Sequence, residues 1–425
     1  LGDVYKRQLD EKGVNGSLHG VFEQRYGQGR VVGRAMPVKF AKKSSDPNAW
    51  RFGGGVGKPL EEVLKTMSKG QIVVMDLDGS KTASAWGGLA SKLAIQKGVC
   101  GTVMWGTCRD VDEINIALQS TESLDIAAIT KEHFQLPNLS QTLKEIQNEV
   151  INGRGFALIR GLPVENWSMK QSATAYYGIG MHIGMARSQN AMGHILGHVR
   201  DLGRDAVNDK NARIYQTRER QNFHTDSCDV VSLLCLKTSK TGGASALVSS
   251  MTIYNEMYDR RPDLLRLLFE PFATDRRGEI PEGKKPYFEI PVFNYYERYL
   301  SVIYAPRYID SAQRFDGVPE LSEKRREALN MFDSIANDPA INMEMGFEPG
   351  DIQFVHNHTM LHDRTAFEDW EDENKKRHLL RLWLAVPNAR PLPEIYAERY
   401  GQVTIGDRGG IIVPGSKLNA PLDPI

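Results

Sequence analysis

Cysteine is scarce in this 425-residue chain: Cys100, Cys108, Cys228 and Cys235 are the only four, and no two form a CxxC pair. Such spacing offers neither a disulfide framework nor a cysteine zinc site, and it suits a reducing compartment. An excess of one charge is also lacking, with 53 Lys plus Arg against 53 Asp plus Glu. Net charge therefore supplies no pull toward nucleic acid or an anionic membrane. No apolar run reaches the roughly 20 residues of a spanning helix, and the first residues lack the basic-then-apolar layout of a secretory signal. The expected location is cytoplasmic, and the expected partners are small molecules. There is no initiator Met, and Leu1–Gln8 (LGDVYKRQ) reads as a non-native scar, so it is set aside.

What is present is ordinary globular material, 41% hydrophobic and 25% charged, long enough for two or three domains. Arg30–Val38 (RVVGRAMPV) reads as a strand, Leu60–Lys69 as a short helix and Gln71–Leu77 as a second strand. Ser84–Lys97 has helical spacing and ends at Gly98, where a left-handed cap would sit. Val99–Trp105 reads as a third, buried strand. Strands alternating with helices across glycine turns predict an α/β unit.

Three motifs stand out in this front part: Val73–Gly79 (VVMDLDG), Trp86–Gly88 and Gly106–Val111 (GTCRDV). Through them Leu9–Ile114 resembles the RraA-like family, which includes aldolases acting on 4-hydroxy-4-methyl-2-oxoglutarate and a regulator of ribonuclease E. The resemblance implies that Arg109 grips a substrate carboxylate and Asp110 binds Mg²⁺. A guanidinium fork and a hard carboxylate suit those roles. Family members continue well past the Arg-Asp pair, begin with a further helix, and often carry an acidic residue near Gly87-Gly88. Residues 9–118 are therefore expected to be a truncated segment with a degenerate site.

Residues 119–134 are polar and weakly patterned, and read as a linker. Gln141–Val150 reads as a helix with Ser140 at its N-cap, and Phe156–Ile159 (FALI) as a strand. Further strand-like runs follow at Val230–Leu236, Ala246–Val248, Tyr299–Tyr304, Ile352–Val355 and Leu379–Val386, with a helical interlude at Met251–Leu268. Strands set among helices and long loops predict a β-core decorated by insertions, over 135–400, with 401–425 left as a tail.

Within that core, His224 and Asp226 are two residues apart in NFHTDSCDVVSLLCL. On an extended strand they point to one side. An imidazole and a carboxylate there form two corners of the facial triad that suits non-haem Fe(II). Far downstream His356, His358 and His362 fall within seven residues, and Arg377 and Arg381 follow in RHLLRLWLAV. Two arginines four apart on one strand share a face. An otherwise apolar strand turns cations inward only where anions meet them.

Four motifs occur in order: Phe223–Asp226 (FHTD), Gly242–Ser245 (GGAS), Leu361–Phe367 (LHDRTAF) and Arg377–Leu384 (RHLLRLWL). From Gln135 to Pro393 the chain resembles the TauD/TfdA family of 2-oxoglutarate-dependent dioxygenases. The resemblance implies a double-stranded β-helix (jelly roll) with Fe(II) held by His224, Asp226 and His362. It also implies that Arg377 meets the C5 carboxylate of 2-oxoglutarate, helped by Ser245. Arg381 has two family roles open to it, gripping the co-substrate or holding an anionic substrate. The implied reaction consumes O₂, releases succinate and CO₂, and oxidises a small organic substrate, most simply by hydroxylation. His356 and His358 become structural.

Other residues carry weaker signals. His194 and His198 sit four apart, but Gly193 and Gly197 argue for a loop. Cys228 fits a buried small hydrophobe better than a nucleophile. Asp229 could meet a cationic substrate group or brace a turn. For the whole chain the rivals are a metal-dependent aldolase or lyase at Arg109 and Asp110, or a non-catalytic oligomerisation or regulator module in front, which leaves room for a homo-oligomer. Cutting near Ser120 is expected to spare the oxygenase.

Overall fold

Alternation along His378–Ala385 decides how the second part of the chain is layered. In the computed structural model, residues 107–204, 213–411, 413 and 415–424 are described, together with 34–42, 50–52, 65–76, 84–86, 94, 96–99 and 101–105. Side chains two apart on a strand share a face. Leu380, Leu382 and Leu384 turn outward into a cluster with Ala173, Tyr176 and Ile179 of the helix Met169–Met181. Trp383 turns the other way, against Val231, Leu247, Val355 and Met360. One strand thus packs a helical layer on one face and a second sheet on the other.

Two antiparallel sheets result. The larger runs Phe156–Ile159, Ile352–His356, Val230–Lys237 and His378–Ala385, with Met185–Arg187 and Gly197–Val199 both pairing to the last of these. The smaller runs Gln221–His224, Met360–Arg364, Ser245–Ser249 and Met343–Met345. On its outer side Phe223, Ala246, Val248 and Leu361 pack against helices Ser250–Arg260, Pro262–Leu267 and Glu323–Ala336. Two facing antiparallel sheets with helices outside are consistent with the expected jelly roll.

The front part keeps its α/β character, with parallel strands Arg34–Lys42, Gln71–Asp76 and Gly101–Trp105. Gly98 has φ +68°, as a left-handed cap requires. The helical reading of Ser84–Lys97 fails at its start. Ser84–Trp86 is a strand paired in parallel with Thr107–Cys108, because ladder bonds outrank local spacing. The proposed helix start at Leu60 lies outside the described residues.

The stretch 119–134 does not run as a free linker. Helix Arg109–Ser120 delivers Ile114, Ala117 and Leu118 to the same cluster as Leu143, Tyr176 and Leu382. Ile126, Ile129 and Phe134 join them. The Phe134 ring lies directly over Gly178, where an added Cβ would come within 2.3 Å of it. Polar residues mislead here because they face outward, while one apolar side chain every three or four positions does the packing. The C-terminal stretch 401–425 is not a loose tail either. Arg408 is fully buried, Ile411 packs with Trp383, and the Pro421 carbonyl accepts a hydrogen bond from His198. No described helix is long and apolar enough to cross a membrane.

Candidate active site

The same two-residue alternation sets the site. On Met360–Arg364, Leu361 faces outward, so Met360, His362 and Arg364 face the opposite sheet. His224, at the end of its strand, lies directly across the ladder from His362. Asp226 follows where the chain turns toward Val230–Lys237, and its N–H donates to Asn357 Oδ1 at 2.9 Å.

The donor atoms of His224, Asp226 and His362 lie within 4.8 Å of one another, which no other such trio does among the described residues. His224 Nδ1 lies 2.8 Å from the Asn222 carbonyl, which can only accept, so Nδ1 carries a proton. His362 is neutral: burial and the neighbouring His224 pull its pKa down to about 3. Its Nδ1 is buried without a hydrogen-bond partner among the described residues. Burial opposes charge on Asp226, yet Arg381, His362, His224 and the Trp383 N–H together hold its pKa below the usual carboxylate range. Two imidazoles and one carboxylate are the donor set that Fe(II) takes.

Arg377 and Arg381 both sit inside, but in different company. Arg381 Nε donates to Gln189 Oε1 at 2.7 Å, its Nη1 lies 3.6 Å from Asp226 Oδ2, and its guanidinium stacks 4.5 Å from the Tyr215 ring centroid. Among the described residues Arg377 Nη1 has no hydrogen-bond partner, and its guanidinium lies 5.2 Å from the Phe367 ring centroid. Arg364 stacks on the same ring at 4.8 Å, with Nε and Nη1 also unpartnered. Burial brings the pKa of Arg364 down to about 9, with Arg377 adding repulsion, and that of Arg377 down to about 10. Ser245 faces Arg364 across the ladder. Buried cations with open N–H groups form a hole for an anion. Arg364 had no role from sequence, although its parity with His362 was a readable signal.

Asp229 braces rather than binds. It accepts from His358 Nε2 at 3.0 Å, Arg408 Nε at 2.8 Å and the Val386 N–H at 3.0 Å, with Asp229 and Arg408 both fully buried. This ties the C-terminal stretch to the segment carrying Asp226. Arg408→Ala should therefore cost about 3–5 kcal/mol in urea unfolding, because it strands a buried carboxylate. Removing both charges with Asp229→Asn and Arg408→Met should cost less than the single change. A loss below about 1 kcal/mol for Arg408→Ala would show that the pair carries little.

His356 Nδ1 bonds Thr359 Oγ1 at 2.9 Å, so neither it nor His358 joins the triad. His194 Nδ1 lies 3.0 Å from the Asn190 amide nitrogen, and His198 meets His378 at 2.8 Å, so these two also sit apart from it. Cys228 is buried, its thiol pKa pushed well up by burial. The side chains of Arg109 and Asp110 lie outside the described residues, and the Mg²⁺ expected there finds no support.

The chain is 34% identical over 284 residues to FR-33289 synthase of Streptomyces rubellomurinus, covering 66% of this chain and 84% of that protein. It is 31% identical over 290 residues to a taurine hydroxylase-like protein of Stachybotrys chartarum, covering 64% and 72%. Among solved structures it resembles asparagine oxygenase in complex with Fe(II), 2S,3S-3-hydroxyasparagine and succinate, with TM-score 0.50, 15% identity, and 65% and 91% coverage. It also resembles the non-heme iron oxygenase OrfP in complex with Fe, succinate and (3S)-hydroxy-L-Arg, with TM-score 0.50, 13% identity, and 65% and 92% coverage. Residues 3–138 match the family model described as aldolase/RraA. Residues 120–383 match the model for taurine catabolism dioxygenase TauD, TfdA family, and the chain belongs to that family of Fe(II)- and 2-oxoglutarate-dependent dioxygenases.

Proposed function

We propose that His224, Asp226 and His362 hold Fe(II), and that Arg377 and Arg364, with Ser245, hold the C5 carboxylate of 2-oxoglutarate. The observation that carries the reading is the convergence of the three donors within 4.8 Å. With 2-oxoglutarate, the bound iron supplies oxidative decarboxylation: O₂ puts one oxygen into succinate beside CO₂ and the other into a substrate C–H bond, giving an alcohol.

The protein's own residues do the positioning. The indole N–H of Trp383 donates to Asp226 Oδ2 at 2.9 Å and fixes the rotation of that carboxylate. The Asn222 carbonyl fixes the His224 tautomer. Arg381 is occupied by Gln189 and Asp226, which leaves the open N–H groups of Arg377 and Arg364 for the co-substrate. Gln221 places its amide nitrogen 2.8 Å from His224 Nε2, at the mouth of the site. On this reading the oxygenase unit runs from helix Arg109–Ser120 through the stretch that holds Arg408.

Succinate release from 2-oxoglutarate with Fe(II) in air tests the assignment. Arg377→Ala should raise the KM for 2-oxoglutarate by on the order of a hundredfold, as expected for loss of a buried charge-assisted pair. Arg381→Ala should raise it much less. A larger effect at Arg381 would reverse the two roles.

A further inference from the structure

Beside the triad lies a cleft lined in part by His224 and Asp226. One wall is apolar, built from Phe272, Ile290, Val292, Ile303 and Ile309. Four arginines also line the cleft: Arg213, Arg307, Arg381 and Arg399.

Three of the four already have a carboxylate. Arg213 pairs with Glu279 at 2.7 Å, Arg307 with Glu219 at 3.5 Å, and Arg381 lies 3.6 Å from Asp226. Arg399 has no carboxylate within ion-pairing distance among the described residues. Its Nε donates to Ser227 Oγ at 2.8 Å, and its guanidinium lies 5.5 Å from the Phe288 ring centroid. Ser227 is the residue after Asp226, so this cation stands close to the triad. Burial lowers the pKa of Arg399, with Glu279 pulling it back up and Arg213 adding repulsion. Arg399 is half-buried and Glu279 is already paired with Arg213, and a cation partly withdrawn from water without a carboxylate of its own is costly to keep. Arg399 and the helix Ala397–Tyr400 that carries it lie beyond residue 383, where the match to the dioxygenase family model ends.

We propose that Arg399 is the anion-recognition residue of the substrate cleft, and that the substrate is a small molecule with an apolar body and a terminal oxyanion. The oxyanion can be a carboxylate, a sulfonate or a phosphonate, since each offers the paired oxygens that a guanidinium fork takes. Arg213 stands behind Arg399 as a second cation, its Nη1 donating to Tyr308 Oη at 3.1 Å, and the apolar wall takes the carbon chain. This inference rests on the dioxygenase reading for the position of the cleft, but the charge argument holds without iron.

Calorimetric titration of the full chain separates the two. The probes are butyrate, propanesulfonate, propylphosphonate and neutral 1-butanol, each added to metal-free protein and again to anaerobic protein with Fe(II) and 2-oxoglutarate. At least one of the three anions should bind at least about tenfold more tightly than 1-butanol in both states, as a charge-assisted contact implies, and the preferred anion names the oxyanion. Arg399→Gln should remove that preference, and Arg399→Lys should restore part of it. Equal binding of butanol and all three anions overturns the proposal, as does an undiminished preference in Arg399→Gln. If the anion preference is present but Fe(II) with 2-oxoglutarate gives no optical band, the dioxygenase reading has failed and the anion site has not.

Discussion

A chain beginning at Ser120 should lose about 4–7 kcal/mol of stability relative to one beginning at Thr107. Ile114 and Leu118 are buried in the cluster that holds Leu143, Tyr176 and Leu382, and each contributes roughly 1.5–3 kcal/mol by leaving water. Ala117 adds to this, and Glu113 Oε1 accepts the Asn138 N–H at 2.8 Å near the start of the next helix. Against a total of about 5–15 kcal/mol for an ordinary domain, that loss takes most of the margin. Urea unfolding of the two truncated chains measures it. The Ser120 chain should be largely unfolded or insoluble, while the Thr107 chain keeps a cooperative transition. Equal midpoints would mean that helix Arg109–Ser120 is ornament to the oxygenase and that the junction lies after it.

That expected result is the opposite of the one read from sequence, for a physical reason. Polar residues dominate Ser120–Gln135, and composition averages over a helix or loop whose buried side chains are few but fully covered. The strand Phe156–Ile159 was legible to the residue, because an apolar run between glycines has few alternatives. Val230–Lys237 and His378–Ala385 were legible as largely apolar runs rich in leucine and valine. Helices Met169–Met181 and Glu323–Ala336 escaped notice. The first is buried almost all round and so lacks the periodic polar face that marks a surface helix.

Within the candidate site, the HxD pair was visible because ligand chemistry restricts residue types, and His362 was visible through the family resemblance. Arg364, Arg399 and Arg408 were not, because an arginine in a loop or at a strand end reads as solvated. Only packing shows that Arg408 has no exposure and that Arg364 shares the Phe367 ring with Arg377. Asp229 was undecided between substrate and scaffold, and its three hydrogen bonds place it with the scaffold.

The triad itself makes the second large prediction. Anaerobic protein given Fe(II) and 2-oxoglutarate should develop a weak visible charge-transfer band, as a keto acid chelated to ferrous iron does. His224 and His362 alone leave iron without its one anionic protein ligand. Asp226→Ala should therefore abolish both the band and succinate release, while far-ultraviolet circular dichroism stays that of the parent. The anaerobic spectrum of Asp226→Ala beside that of the parent measures most directly whether the triad holds iron. A band in the parent and none in the variant is the expected result. An unchanged band in Asp226→Ala, or no band in a folded parent chain, would contradict it.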